Sequence, residues 1–387
     1  MVNYDFLSVY FYSVPNLRFS YKGDWSKRKL NEICQFFKGN GLSKSDLSNE
    51  GFPCILYGEL YTTYKNEVIS DIISKTNTTL SNPFLSRNND LIIPGSGEDP
   101  IDIAVARAIC QNDIILGGDL NILRPKSNVS AAFLSYQLNG VRRYDIAKKA
   151  QGKSIVHLHN SDLKEVLVSI PTYNEQLHIV KLLTKVDEMI ETQSKIINDY
   201  KILKNHIIKS YIKQNGTSYL LSEIAELGRG RVINSAEISK QKNPIYPVYS
   251  SQTSNNGIMG YLDNYDYEGE YITWTTDGAN AGTVYYRNGK FNCTNVCGIL
   301  KIKNGYDAYY ISNILNCYTK KYVSTNLANP KLMNNVMANI KINLPSIEQQ
   351  KHSSKILQSI EYRVEIEEDI KLNLVKQKAF LLKNMFI

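Results

Sequence analysis

Apolar and polar residues recur with a helical period along two long stretches, 171–213 and 345–387, and the two stretches resemble each other. The first reads PTYNEQLHIVKLLTKVDEMIETQSKIINDYKILKNHIIKSYIK, the second PSIEQQKHSSKILQSIEYRVEIEEDIKLNLVKQKAFLLKNMFI. At a constant offset of 174, Leu182 falls on Ile356, Leu183 on Leu357, Val186 on Ile360 and Asp187 on Glu361. Each opens with Pro, which suits a first helical turn, beside a capping Thr172 or Ser346. No Gly or Pro follows for about forty residues, so each predicts one helix roughly 60 Å long. A 4-3 spacing runs through Leu182, Val186, Met189, Gln193, Ile196, Tyr200, Leu203, Ile207 and Ser210, the pattern of a coiled-coil seam. The second stretch keeps Ile356, Ile360, Ile370, Leu374 and Leu381 in register but adds Arg363, Glu367, Gln377 and Asn384, a weaker seam.

The blocks before these helices also repeat. Leu30-Asn-Glu-Ile33 returns as Leu221-Ser-Glu-Ile224, and Lys38-Gly-Asn40 as Arg229-Gly-Arg231, at an offset of 191. Pro53-Cys-Ile-Leu-Tyr-Gly58 is echoed by Pro247-Val-Tyr-Ser-Ser-Gln252, and the run from Ile155 to Pro171 by the run from Lys331 to Pro345. Short apolar runs bounded by Gly and Pro, such as 90–95 and 113–125, predict strands, and 130–148 predicts a helix. The blocks mix α and β without regular alternation. Between the anchors they diverge almost completely, and YEGEYITWTTDGANAGTVYY has no counterpart in the first block. The predicted order is a lead-in (1–21), a mixed domain (22–171), a helix (172–215), a second mixed domain (216–345) and a second helix (346–387). Two copies of one fold that present different surfaces suit the reading of two different targets.

Composition narrows the class. The 387 residues, 43% hydrophobic and 21% charged, suit a globular protein of two or three domains. A net charge of +8 leans toward a polyanionic partner. The six cysteines, Cys34, Cys54, Cys110, Cys293, Cys297 and Cys317, form no CxxC pair and read as reduced thiols of a cytosolic protein. FLSVYFYSV near the N-terminus lacks a preceding basic residue and a small-residue cleavage site, so it does not read as a signal peptide. No apolar run approaches a membrane span.

Catalytic signatures reduce to near misses. Gly152-Lys-Ser154 ends like a phosphate-binding loop, but the earlier Gly it needs is Ala147. Asn82-Pro-Phe84 lacks the second proline of an amino-methyltransferase motif, and His157 and His159 have no third ligand in view. The features that suit DNA are Lys38, Asn40, Arg229 and Arg231 on Gly-containing loops, with Tyr57, Lys153, Tyr249, Ser250, Ser251, Gln252 and Asn256 nearby. Arg, Asn and Gln can make bidentate contacts to base edges, while Lys mostly holds phosphate. A binding protein is favoured over an enzyme, and a coiled-coil adaptor that only dimerises is the alternative.

The chain resembles the specificity (S) subunits of type I restriction–modification systems. The resemblance rests on Val14-PNLRF19 before Trp25, Leu30-NEI33 before a Lys-Gly loop, ILYG58, and the Pro-x-x-x-Glu/Gln-Gln openings of two long helices, each behind a variable block. It implies an α+β fold in which two mixed α/β target recognition domains are joined by two long antiparallel coiled-coil helices in a pseudo-twofold repeat. It further implies that each domain reads one half of a split site in double-stranded DNA. The helices would dock two methyltransferase subunits, through which restriction subunits join. Leu182, Val186, Met189, Ile196, Leu203, Ile207, Ile356, Ile360, Ile370 and Leu374 are the helix positions assigned to such partners. The resemblance implies no cofactor bound by this chain: S-adenosylmethionine, ATP and Mg would belong to the partner subunits.

Overall fold

In a computed structural model, which describes residues 14–213, 216–324 and 329–387, the helical periodicity resolves into two long helices. These are α1 (Tyr173–Ile212) and α2 (Ile347–Asn384). The N-terminal FLSVYFYSV segment lies mostly outside the described residues, which begin at Val14. The chain divides into two compact units. The first holds residues 1–194 and 369–387, and the second 195–368, so each long helix contributes to both.

Both helices start where the sequence places them. Thr172 Oγ1 accepts from the Glu175 N–H at 3.4 Å, and Ser346 Oγ accepts from the Gln349 N–H at 3.4 Å. The second residue of the Glu/Gln-Gln pair has a task that spacing alone did not reveal. Gln176 donates to the Pro171 carbonyl at 3.0 Å and accepts from the Ser130 N–H at 2.9 Å. Gln350 donates to the Pro345 carbonyl at 2.9 Å and accepts from the Asp307 N–H at 3.1 Å. Ser130 and Asp307 are the N-caps of the core helices Ala131–Asn139 and Ala308–Tyr318. Each Gln, fully or nearly buried, therefore ties the start of a long helix to the start of a core helix. Arg18, from the lead-in, pairs with buried Glu175 at 2.6 Å, and Trp25 Nε1 donates to the same carboxylate at 3.2 Å.

In the first unit a five-stranded sheet has the order Cys34–Lys38, Leu120–Pro125, Asp90–Pro94, Arg107–Ile109, Val68–Ile69. In the second, a six-stranded sheet has the order Ala225–Arg229, Cys297–Ile302, Tyr267–Thr275, Val284–Cys293, Tyr246–Tyr249, Ile258–Leu262. The short strand before each LNEI or LSEI turn pairs antiparallel with the strand before each long helix, in the same register: Ser26 opposite Ile170, and Thr217 opposite Leu344. The strand predicted over 113–125 is broken into Ile115–Leu116 and Leu120–Pro125 by Gly117-Gly118-Asp119, with Asp119 left-handed at φ 56°. The helix predicted over 130–148 is two, Ala131–Asn139 and Arg143–Ala147, parted at Gly140.

The phase of the helix seam needs correction. Beside Glu175, Gln176 and Asp187, the buried positions of α1 are Ile179, Leu183, Val186, Gln193, Ile197 and Ile208, whereas Met189 and Leu203 are 47% and 46% exposed. Leu182, Ile196 and Ile207 are half-buried, as are Ile356, Ile360 and Leu374 of α2, while Ile370 is exposed. The seam is turned by about one residue because the helices serve two surfaces. Ile179, Leu183 and Val186 belong to the apolar core of the first unit with Trp25, Phe133, Leu381 and Phe386, and Ile208 and Leu357 to that of the second with Trp274 and Tyr310.

One polar arrangement occurs twice, more deeply buried in the first unit. In the first unit Lys378 of α2 lies 2.6 Å from both Asp187 of α1 and Glu67, and Tyr136 Oη donates to Asp187 at 2.7 Å. In the second, Lys204 of α1 and Tyr309 Oη both bond Glu361 of α2. Lys204 and Lys378 are 174 residues apart, as are Asp187 and Glu361, so the pairs are copies with the helices exchanged. Burial raises the Asp187 pKa, opposed by Lys378. The side chains of Lys378, Asp187 and Glu67 are 15%, 5% and 8% exposed, against 22% for Lys204 and 42% for Glu361. Lys378→Met should therefore cost about 3 kcal/mol or more by stranding two buried carboxylates. Lys204→Met should cost about 1 kcal/mol or less. Denaturant unfolding of the two variants checks the difference; equal losses would refute the distinction.

Candidate nucleic-acid interface

The edge strand of each large sheet ends in the basic residue singled out from the sequence, Lys38 or Arg229. Equivalent bonds then hold the loops that follow. Gly39 N–H donates to Leu120 O at 3.0 Å and Asn40 N–H to Leu116 O at 3.1 Å. Gly230 N–H donates to Cys297 O at 3.3 Å and Arg231 N–H to Cys293 O at 3.1 Å. A Cβ at Gly39 would stand 2.0 Å from Gly117 O, and one at Gly230 2.1 Å from Cys293 O, so glycine is a steric requirement in both copies. An asparagine from the equivalent short helix fixes the strand end: Asn160 Nδ2 donates to Phe37 O at 2.9 Å, and Asn334 Nδ2 to Gly228 O at 3.1 Å. The Pro-containing strands, Phe52–Ile55 and Tyr246–Tyr249, each run parallel to the segment just before the sheet's second strand, with Cys54 opposite Ile115 and Tyr249 opposite Cys293.

On this shared frame the loops differ. In the first unit a cleft of about 700 Å³ is lined by Ser43, Lys44, Tyr57, Glu59, Thr62 and Asp119 among others. Half-buried Tyr57 stands in its wall. Lys38 is exposed, yet its crowded setting lowers the pKa of its ammonium, an effect that Asp119 offsets in part. Lys153 is exposed in the turn between Gln151–Gly152 and Val156–His157. In the second unit Ser250 N–H donates to Gly257 O at 2.9 Å and closes an eight-residue loop between Tyr246–Tyr249 and Ile258–Leu262. Asn255, Asn256 and Gly257 are successively left-handed, at φ 49°, 51° and 81°. Asn255 and Asn256 are exposed and Ser251 is half-buried.

Several of the side chains assigned to DNA have partners within the chain. The Asn40 amide donates to Asn82 O and accepts from the Phe84 N–H, both at 3.0 Å, so it braces the loop and keeps one N–H and one lone pair for any other partner. Arg231 is clamped between Glu237 at 2.7 Å and Asp266 at 3.0 Å, which raises its pKa and occupies its fork. Gln252 bonds Ile258 O, and Ser250 Oγ is 3.2 Å from Thr294 Oγ1. Arg229 donates Nε to Asn334 Oδ1 at 3.0 Å and has Met333 Sδ 3.2 Å from Nη2, so it is held by the frame but remains half-exposed. Tyr249 packs its ring on Arg287, a residue to which the sequence drew no attention. Arg287 sits mid-strand in YYRNGK, a setting that reads as solvent-facing. Among the described residues, no cluster of three or more His, Cys, Asp or Glu could hold a metal ion, and no helix is long and apolar enough to cross a membrane.

Comparison with known proteins decides the family. The model of the type I restriction modification DNA specificity domain matches twice, over residues 22–200 and 215–377. The chain belongs to this family. Among its relatives is a Mycoplasma pneumoniae chain named for the N-terminus of a type I specificity subunit, S.MpnORF289P. It is 43% identical over 142 residues, 36% of this chain and 75% of that one. The type I restriction enzyme MpnII specificity subunit of the same organism is 40% identical over 166 residues, 42% of this chain and 49% of that one. The fold matches the crystal structure of a type I restriction–modification S subunit from M. genitalium, with a TM-score of 0.66 and 18% identity, over 97% of this chain and 99% of that one. The chain is thus a type I specificity subunit with two copies of the specificity domain, a mixed α and β fold and two long helices. Within each unit the helices run antiparallel, as the Asp187–Lys378 pair beside the groove of Gln193 and Ile370 indicates in the first and the Lys201–Glu368 and Lys204–Glu361 pairs in the second.

Proposed function

We propose that this specificity subunit reads an interrupted, asymmetric site in double-stranded DNA, one half with the domain of residues 22–171 and the other with that of residues 216–345. The helices, residues 172–215 and 346–387, dock two methyltransferase subunits, and restriction subunits join through the complex. The chain itself is non-catalytic and cytoplasmic, and S-adenosylmethionine, ATP and Mg act on the partner subunits. The observation that carries this is the equivalent backbone bonding of Lys38-Gly-Asn40 and Arg229-Gly-Arg231 beneath loops that share almost nothing. One presentation frame with two fillings is what two different half-sites require. A coiled-coil adaptor gives no account of the unlike loops. In favour of docking on the helices, Met189, Leu203 and Ile370 are large apolar side chains left exposed along them.

The test is co-expression with methyltransferase subunits, followed by mapping of methylated adenines. A split motif that disappears when this chain is omitted is expected, with no turnover by the chain alone given S-adenosylmethionine or ATP. Methylation at a continuous site, or turnover without partners, would overturn the proposal. Within it, Lys38→Ala or Arg229→Ala should weaken binding by about 1–3 kcal/mol where the residue reads a base. Where it holds phosphate, the salt slope should fall by about one with sequence preference intact. Binding curves at several salt concentrations on matched and mismatched DNA decide; no change in either quantity removes that residue from the interface.

A further inference from the structure

The loop of residues 250–257 in the second unit stands on a buried cation. Arg287, only 4% exposed, lies with its guanidinium carbon 3.5 Å from the centre of the Tyr249 ring and 4.4 Å from that of Tyr285. Its Nη2 donates to the Asn256 carbonyl at 2.9 Å and its Nε to Thr273 Oγ1 at 3.2 Å. Among the described residues no carboxylate forms an ion pair with it. A guanidinium buried with no carboxylate, beside only the Tyr249 and Tyr285 rings and the Cys293 and Cys297 thiols, is a costly way to fill a sheet, since desolvation opposes its charge and a Met of similar length has no charge to desolvate. What the charge gains is geometric. The planar fork and the face of the cation engage the two ends of one loop at once. Tyr249 is the last residue of the strand entering the loop, and Asn256 is the second of three left-handed residues leaving it. Asn256 holds a backbone conformation that costs most residues roughly 1–2 kcal/mol, and its carbonyl is aimed inward at Arg287 while its exposed side chain lies outside.

We propose that Arg287 is the positioning residue of the 250–257 loop: without touching DNA, it holds the Tyr249 ring and the Asn256 backbone in the one arrangement that presents Ser251, Asn255 and Asn256 to the bases of one half-site. The proposal rests on the reading of the second domain as a half-site reader. It is specific to this domain. The nearest arrangement in the first unit is Arg124, whose guanidinium also lies over aromatic rings, those of Phe37 and Phe84, but which is neutralised by buried Asp90 at 2.8 Å.

The test compares wild-type, Arg287→Lys and Arg287→Met chains in complex with methyltransferase subunits, by competition between matched DNA and DNA with single mismatches in either half. The expected result is a loss of discrimination of roughly tenfold to a hundredfold, the scale of one bidentate base contact, confined to one half of the site. The salt slope should stay that of the wild type, and Lys, which keeps the charge but not the fork, should lose less than Met. Thermal unfolding accompanies the assay, and Arg287→Lys carries the test alone if Met at 287 prevents folding. Unchanged discrimination in a folded variant overturns the proposal. So does an equal loss in both halves, the mark of general destabilisation. A salt slope lower by about one with base preference intact also overturns it, because Arg287 would then be a phosphate contact. A wild-type complex that methylates no split site overturns the half-site reading itself, and the proposal with it.

Discussion

Exchanging residues 22–170 for the corresponding block of a relative is expected to replace one half of the recognised sequence and leave the other half and the spacing untouched. The physical ground is the separation of frame from filling. Bonds that tie each domain to the long helices include those of Gln176 and Glu175 and of Tyr136 and Glu67 with Asp187 and Lys378 on one side, and those of Gln350 and of Tyr309 with Glu361 on the other. The incoming block must still supply a Trp25-like donor to Glu175, an N-cap N–H for Gln176, and counterparts of Tyr136 and Glu67 for Asp187 and Lys378. Leu381 of α2, and Met385 and Phe386 just after it, pack in the same apolar core as Trp25 and Phe133, so a donor block with a different aromatic set there would fold poorly for reasons unrelated to DNA. With those contacts preserved, affinity for the original site should drop toward non-specific binding, about 10³-fold or more below the specific level. Methylation mapping of the exchanged chain reads the result directly. Movement of both half-sites together would show that the domains do not read independently.

A feature of this chain is legible in its sequence to the extent that its determinant is local. The caps Thr172 and Ser346, the LNEI and LSEI turns and the Lys-Gly and Arg-Gly loops are fixed by neighbours a few residues away, and their duplication at constant offsets made each copy a check on the other. The helix seam was legible in period but not in phase. A helix that buries one stripe against a domain core and another against a second helix shows a broad apolar band, and periodicity cannot tell which edge of it is deepest. Hence Leu183 and Ile197 are buried where the 4-3 spacing points to Leu182 and Ile196. The site residues were least legible. Arg231 finds Glu237 and Asp266, 6 and 35 positions away, and Asn40 finds the backbone of Asn82 and Phe84 more than forty positions away. A polar side chain on a loop reads the same whether its partner is DNA or a distant part of its own chain. Arg287 was hidden for the opposite reason, as a charged residue in an alternating strand that has its apolar neighbours across the sheet.

Lengthening both long helices by four residues at matched positions is expected to widen the gap between the two half-sites while preserving recognition of each. The matched positions are the points where the units divide, after Ser194 in α1 and after Glu368 in α2. Both insertions are needed because the antiparallel pairing is locked on each side of them. Asp187 is tied to Lys378 on one side, and Lys201 to Glu368 and Lys204 to Glu361 on the other. Four residues in α1 alone would carry Lys204 and Ile208 about 6 Å along the helix axis, away from Glu361 and Leu357, or would break the Asp187–Lys378 pair instead. Such a chain should lose folding or assembly, at a cost set mainly by the buried Lys378 pair. With matched insertions every pair keeps its partner. Four residues turn a helix by about 400°, roughly 40° past a full turn, so the buried stripe beyond the insertion is nearly preserved. Two residues turn it by about 200° and would put Ile197 and Ile208 on the wrong face. The added rise of about 6 Å corresponds to one or two base pairs at about 3.4 Å each, the smaller number applying if the helices run oblique to the DNA. The three variants, α1 alone, matched four and matched two, are compared by methylation mapping and by size-exclusion chromatography with methyltransferase subunits. Only the matched four-residue chain should stay assembled and shift the spacing. If it stays active at the original spacing, these helices do not set the distance between the half-sites.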